Sequence, residues 1–314
     1  MRLHYVEVDT LQGVPVRSRM ESYAVVREAE GRYRLTREEP VGVGRKGYFV
    51  AEVTDRRNGV HNTFGIWRVT ASVDGVPYFE YRMDGFEQAN SRCCDAVSYY
   101  PLQLTSRNEV IRLTQPAGCP DRFFTTMKNR ALLTTPAGRR QEVRITAEDD
   151  CGNRSVLAFT VEGKADERSF HAPACDSLPV VRHDRDFHRE GDGVRIEIPA
   201  GTLYESCFYT HRPHDEPQPK DSTLLFLSRG VEILDVRLPM HRYATLWIDA
   251  TQVPPELRRY AVLASLSPKG KLRYEGGKWS DGRIRLRTRS RGTFFVVADT
   301  VRPTIRPRFT AHDL

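Results

Sequence analysis

Between residues 65 and 84 the chain reads GIWRVTASVDGVPYFEYRMD, and its side chains alternate in character. Trp67, Val69, Ala71 and Val73 share one parity, while Arg68, Thr70 and Ser72 share the other. A strand, with its period of two, sorts such a segment into one apolar and one polar face. Asp74-Gly75 supplies the positive φ values of a tight hairpin turn, and the return strand puts Phe79, Tyr81 and Met83 with the apolar set. A β-hairpin with one buried face is therefore expected here, and it constrains the fold more than any other segment.

The rest of the chain follows the same pattern. Helical periodicity is almost absent, and only VPPELRRYAVL (253–263) allows a short helix or turn. Strands are expected at 48–55, 142–150 and 155–163, the last two flanking a turn at Cys151-Gly152-Asn153. Short strands separated by turn signals point to a β-sandwich over about residues 1–163, with a long insertion around 85–135. Residues 164–192 are charged and contain prolines and histidines, so they read as connection. Strands resume at 194–204, 222–228, 244–250, 260–267, 271–275, 283–290 and 292–299, giving a second β-sandwich over 193–300. Residues 301–314, with Pro303 and Pro307, read as a tail leading to a further module. The expected fold class is all-β, with two tandem β-sandwich-like domains.

Bulk properties set the outer limits. A chain of 314 residues suffices for about two domains with their own cores. An apolar content of 39% with 28% charge fits a folded, soluble protein. No apolar run approaches about 18 residues, so no membrane span is expected. The opening MRLHYVEVDT already reads as a strand and lacks the basic and apolar regions of a secretory leader. The expectation is a cytosolic protein or a piece of a longer secreted one. Six cysteines, at 93, 94, 119, 151, 175 and 207, match no zinc-finger spacing. They allow three bridges or a set of thiols, and spacing does not choose between the two.

The formal charge is +7, mostly interspersed with acids. GRIRLRTRSRG differs, because Arg283, Arg285, Arg287, Arg289 and Arg291 share one parity. On a strand they would stand on one face about 6.6 Å apart. Such a stripe needs acidic neighbours on adjacent strands or an anionic partner. Tyr99, Tyr100, Trp247 and Trp279 are candidates for stacking on sugar rings, Trp279 foremost because Gly276, Gly277 and Gly282 place it near a loop tip. Their alternative role is core packing. Nucleic-acid binding through the arginine stripe is a weaker alternative, since paired stacking aromatics are missing and acids are numerous.

Catalytic motifs are sparse. There is no G-x-S-x-G, no G-x-G-x-x-G and no Walker loop. Glu148-Asp149-Asp150 precedes a turn and is expected to accept backbone hydrogen bonds there. His183 and His188 in one segment, and His211, His214 and Asp215 in another, offer zinc ligands. They define an alternative reading, an autonomous zinc hydrolase. Against it, THRPHDEPQPKD carries three prolines and reads as an exposed loop.

Several segments together resemble a known family. GRKGYFVAEVTDRRNGVHNTFGIWRVTASVDGVPYFEYRMDGF, SRCCDAVSYY and AEDDCGNRSVLAFTVEG resemble the immunoglobulin-like module behind the catalytic domain of lysostaphin-type zinc metallopeptidases of the Gram-negative cell envelope. VRIEIPAGTLYES is similar to the "IPAGAL" strand of the ZU5-type β-domain that follows, and GTFFVVADTVRPTIRP to the strand and linker after it. The family's metal site combines H-x-x-x-D with H-x-H. His211 and Asp215 match the first half formally, but no H-x-H occurs, so no catalytic residue is carried over. The resemblance implies a non-catalytic accessory region that positions a peptidoglycan-directed peptidase. Zinc would belong to the upstream catalytic domain of the same polypeptide and no cofactor to this chain. Peptidoglycan or another anionic envelope polymer would be the partner, and the cell envelope, in the periplasm, the location.

Overall fold

The computed structural model describes residues 2–44, 46–56, 63–85, 87–119, 123–127, 129–165, 175, 177–214, 223–302 and 304–305. The chain divides into two compact units. The first comprises Met1–Phe187, Pro199–Tyr209 and Arg237–Arg242; the second comprises His188–Ile198, Thr210–Val236 and Tyr243–Leu314. Both are built from strands, so the all-β expectation holds.

The hairpin of the first unit pairs Arg68–Val73 with Val76–Arg82 through Asp74 (φ 49°) and Gly75 (φ 77°). Positive φ at both central residues matches the turn to the twist of the strands. Val69, Ala71, Phe79 and Tyr81 are buried as the alternation requires. Trp67 departs from it. It precedes the strand, and its indole N–H donates to the Asp84 carboxylate at 3.1 Å, while Ile66 takes the buried position. Opposite Ala71 and Ser72 the register skips Tyr78, and this bulge lets Tyr78 and Phe79 both be buried.

An eleven-stranded sheet folds into two layers. Glu109–Arg112, Gly47–Val53 and Arg2–Leu11 pair in that order and end on the first part of Val14–Ala29. The last part of Val14–Ala29 pairs instead with Arg32–Leu35. From there the sheet continues through Arg154–Gly163, Arg140–Glu148, the hairpin and Phe124–Met127, with Val41–Val43 parallel to Arg154–Gly163. Leu3, Phe49 and Ile111 of one layer share a core with Val69, Phe79, Val143 and Val161 of the other. Phe49 meets Phe159 edge-on, with centroids 5.1 Å apart. The 85–135 segment contributes two of these strands together with two short helices, Cys94–Val97 and Tyr100–Gln103. Tyr99 between the helices packs with Val6, Tyr48, Val50 and Val110 on the outer side of the first layer. It is a core residue there and presents no stacking surface. The six cysteines stand as thiols, Cys93, Cys119 and Cys207 buried and Cys151 exposed.

On that outer side the strand Glu109–Arg112 ends in a buried guanidinium. Arg112 donates from Nη1 and Nη2 to the two carboxylate oxygens of Glu205, at 2.8 and 2.6 Å, and lies 4.8 Å over the Tyr48 ring. Burial opposes ionisation of Glu205, but the charge of Arg112, with Arg17 and Arg130, outweighs it and holds the carboxyl below its ordinary 4.5.

The second unit also has two sheets. Phe187–Gly191, Val194–Ile198, Ala244–Asp249, Arg283–Thr288 and Lys278–Ser280 form one of five strands. The other, of six, orders His211–His214, Gly230–Ile233, Gly292–Asp299, Ala261–Leu266 and Leu272–Gly276, with Leu224–Phe226 also paired to Gly292–Asp299. Gly292–Asp299 is buried from Gly292 to Ala298, so its sequence shows an apolar run where alternation is absent. Glu275 ties the sheets together, accepting from Ser265, Thr288 and Ser290 hydroxyls at 2.6, 3.3 and 2.6 Å. At Gly277 (φ 114°) a Cβ would lie 2.7 Å from the Ile284 side chain, so only glycine fits this crossing. The short helix anticipated around 253–263 is a 3₁₀ helix, Pro255–Tyr260. HRPH is not the loop its prolines suggest. His211–His214 is a strand paired with Gly230–Ile233, and it tolerates Pro213 because it lies at the sheet edge.

Replacing Glu205 with Gln leaves the Arg112 charge buried without its counter-ion, which should lower the unfolding free energy by about 3–5 kcal/mol at neutral pH. A carboxyl whose folded pKa is depressed contributes stability above its unfolded pKa and loses it as pH falls through the folded one. Urea titrations should therefore show the wild-type advantage undiminished at neutral pH and shrinking once pH drops below 4.5. A difference independent of pH would contradict the pairing.

Candidate anion-binding face

In the strand Arg283–Thr288, Ile284, Leu286 and Thr288 are buried, and the arginines between them point the other way. Arg283, Arg285 and Arg287 thus share the outer face of the five-stranded sheet. Arg289 and Arg291 follow the strand, in the turn leading to Gly292–Asp299, so the stripe of five is a row of three with two arginines beyond it. Register then builds the face laterally. Arg195 is opposite Trp247, Trp247 opposite Arg285, and Arg285 opposite Lys278, giving a row of three cations and one indole.

Aromatic rings, more than carboxylates, hold these cations in place. The Trp247 ring receives Arg195 at 4.6 Å and Arg285 at 5.5 Å. Tyr243 receives Arg287 at 4.8 Å and Arg289 at 4.0 Å. Two acids take part at the margins, Glu190 with Arg283 at 2.7 Å and Glu197 with Arg195 at 2.6 Å. The bond from Arg283 draws the Glu190 carboxyl below its usual range. Among the described residues no carboxylate lies within ion-pair distance of Arg285, Arg287, Arg289 or Lys278. The buried Nε of Arg289 has no hydrogen-bond partner among them either. Arg291 is spent on backbone, donating to the carbonyls of Val236 and Arg289. The face can therefore compensate an anion's charge and offer guanidinium donors to its oxygens.

Trp279 is on the other side of this sheet. It pairs with Ile284, on the buried parity, and carries the Arg258 guanidinium 5.1 Å over its ring. Trp247 was the less favoured aromatic in the sequence, yet it stands among the arginines. The signal for it was available, since Trp247 has the parity of Thr245 and Asp249 and alternates with the buried Leu246 and Ile248.

The histidines go to separate tasks. His183 lies 3.1 Å from the Ser206 hydroxyl in the first unit. In the second, His188 is exposed on the strand Phe187–Gly191, and His211 is 3.7 Å from the Asp192 carboxylate. His214 meets Phe295 edge-on at 5.9 Å. Asp215 lies outside the described residues. Among the described residues, the close group of three metal-ligand side chains is Asp149, Asp150 and Cys151. There Asp149 accepts from the backbone N–H groups of Cys151 and Asn153 at 2.9 and 2.8 Å, the turn-closing role expected of it.

A family model described as the Zu5-like domain matches residues 179–299. The match bears out the ZU5 likeness read from VRIEIPAGTLYES and covers the whole arginine face. A search of curated proteins gives no match. Among the described residues no helix is long and apolar enough to cross a membrane.

Removing the indole should loosen the row. Trp247→Ala forfeits two cation–π contacts of about 0.5–1 kcal/mol each, so the unfolding free energy should fall by at least about 1 kcal/mol. Urea denaturation measures this, and an unchanged midpoint would mean that the ring does not support the arginines.

Proposed function

We propose that this chain is a non-catalytic region of a peptidoglycan-directed zinc metallopeptidase of the cell envelope. It binds an anionic envelope polymer through the Arg285–Arg287–Arg289 face and holds an upstream catalytic domain of the same polypeptide against it. The observation that carries this reading is the set of arginines seated on Trp247 and Tyr243 without carboxylate partners among the described residues. Aromatic seats fix the direction of each guanidinium while leaving its charge uncancelled, which suits a surface that meets an extended polyanion. The Zu5-like match supports a β-module role for the part that bears the face. The likeness of the remaining segments to the envelope peptidases supplies the catalytic partner. Zinc and the hydrolytic step belong to that partner, and the work of this chain is positional.

Sedimentation with purified peptidoglycan at several salt concentrations tests the proposal. Replacing Arg285, Arg287 and Arg289 together with Ser should weaken binding about tenfold, as three exposed charge contacts of about 0.5 kcal/mol would give. The salt dependence should flatten with it. Equal sedimentation of wild type and variant at every salt concentration would remove the role.

A further inference from the structure

The outer side of the first unit carries a second concentration of positive charge. A cavity of about 230 Å³ is lined by Arg17, Lys46, Arg112, Arg130 and Arg182, with Glu205 as the one carboxylate in its wall. Glu205 is committed to Arg112 and stands 3.7 Å from Arg17. Arg182 has a partner at the exposed rim, Asp184 at 3.6 Å. Among the described residues no carboxylate is within ion-pair distance of Lys46 or Arg130, and the buried Nε of Arg112 has no hydrogen-bond partner. One wall carboxylate thus faces five cations.

The backbone is shaped to keep them there. Asn129, Arg130 and Ala131 all have positive φ (51°, 51° and 57°), a run that side chains with a Cβ disfavour. The surroundings impose it. Arg130 O accepts from the Thr114 hydroxyl at 2.6 Å and from Gln115 N at 3.3 Å, and Leu133 exchanges two backbone bonds with Gly47, next to Lys46. Strained backbone of this kind persists where a particular placement is used. On the opposite wall Gly13 leaves room for the Arg182 guanidinium, which a Cβ there would approach to 3.2 Å. The Tyr48 ring beneath Arg112 lowers the local polarity and so strengthens the field in the cavity.

We propose that this cavity binds a small oxyanion bearing at least two negative charges, of the phosphomonoester or pyrophosphate class. Glu205 and Asp184 offset two of the five cations, so a singly charged anion would still leave two uncompensated, and guanidinium forks match the oxygens of phosphate groups. The cavity is smaller than the range of about 300–1,000 Å³ usual for drug-sized ligands, which selects a compact anion.

Isothermal titration of the full chain with pyrophosphate and with glycerol 3-phosphate, at constant ionic strength, tests this site. Saturable one-to-one binding of either is expected, the tighter of the two identifying the class. Arg130→Ala and Lys46→Ala, both outside the buried pair, should each weaken it about tenfold, the loss of one charge-assisted contact. Arg144→Ser removes an exposed charge away from the cavity and should leave binding unchanged, and thermal unfolding verifies that each variant is folded. The absence of saturable binding by both anions overturns the site, as does equal weakening in Arg144→Ser and Arg130→Ala.

Discussion

The strand Val14–Ala29 belongs to both layers of the first unit, and their packing follows from that. Its first part completes the ladder of Arg2–Leu11 and its last part opens a new ladder with Arg32–Leu35. Pairing passes from Ala24, opposite Arg2, straight to Val25, opposite Leu35, so the chain changes layers without a break in its ladder at the corner. Once the corner is made, Phe49 and Phe159 are brought face to edge, and the apolar residues of both layers close on one core. The outer side of the first layer then has to be covered, which the short helices around Tyr99 do.

Positive charge is handled in two ways by this protein. On the five-stranded sheet of the second unit the guanidinium groups rest on Trp247 and Tyr243, which hold them by quadrupole attraction and leave their charge exposed. In the first unit Arg112 is buried, and only a bidentate carboxylate makes that burial tolerable. The first arrangement keeps charge available to a partner, the second fixes a guanidinium in one orientation. Like charges crowded on a strand call for acidic neighbours or an anionic partner. Aromatic rings met most of that demand: Trp247 stands directly opposite both Arg195 and Arg285, and Tyr243, just before the strand Ala244–Asp249, receives Arg287 and Arg289.

Alternation made the strands legible. Val69, Ala71, Phe79 and Tyr81 carried the hairpin, and the seven strands read after residue 193 all have counterparts. Trp67 misled because the pleat starts one residue after it. His211–His214 misled because proline usually marks a loop, and only pairing with Gly230–Ile233 shows it to be an edge strand. The Arg112–Glu205 bond could not be read at all. Its members lie 93 positions apart and no local pattern joins them. The same holds for the cavity cations, which come from five separate stretches of chain. The row from Arg195 to Lys278 was half legible. Parity put three arginines on one face, but lateral neighbours depend on strand order, which local sequence does not encode.

The first unit is completed by Pro199–Tyr209 and Arg237–Arg242, supplied from far along the chain. Glu205 lies in the first of these returning segments. A fragment stopped at residue 163 would retain the Arg112 guanidinium and lack the carboxylate that neutralises it. The Arg112–Glu205 pair therefore forms only once those late segments have joined the amino-terminal strands, and the stability it contributes is absent from the early part of the chain alone.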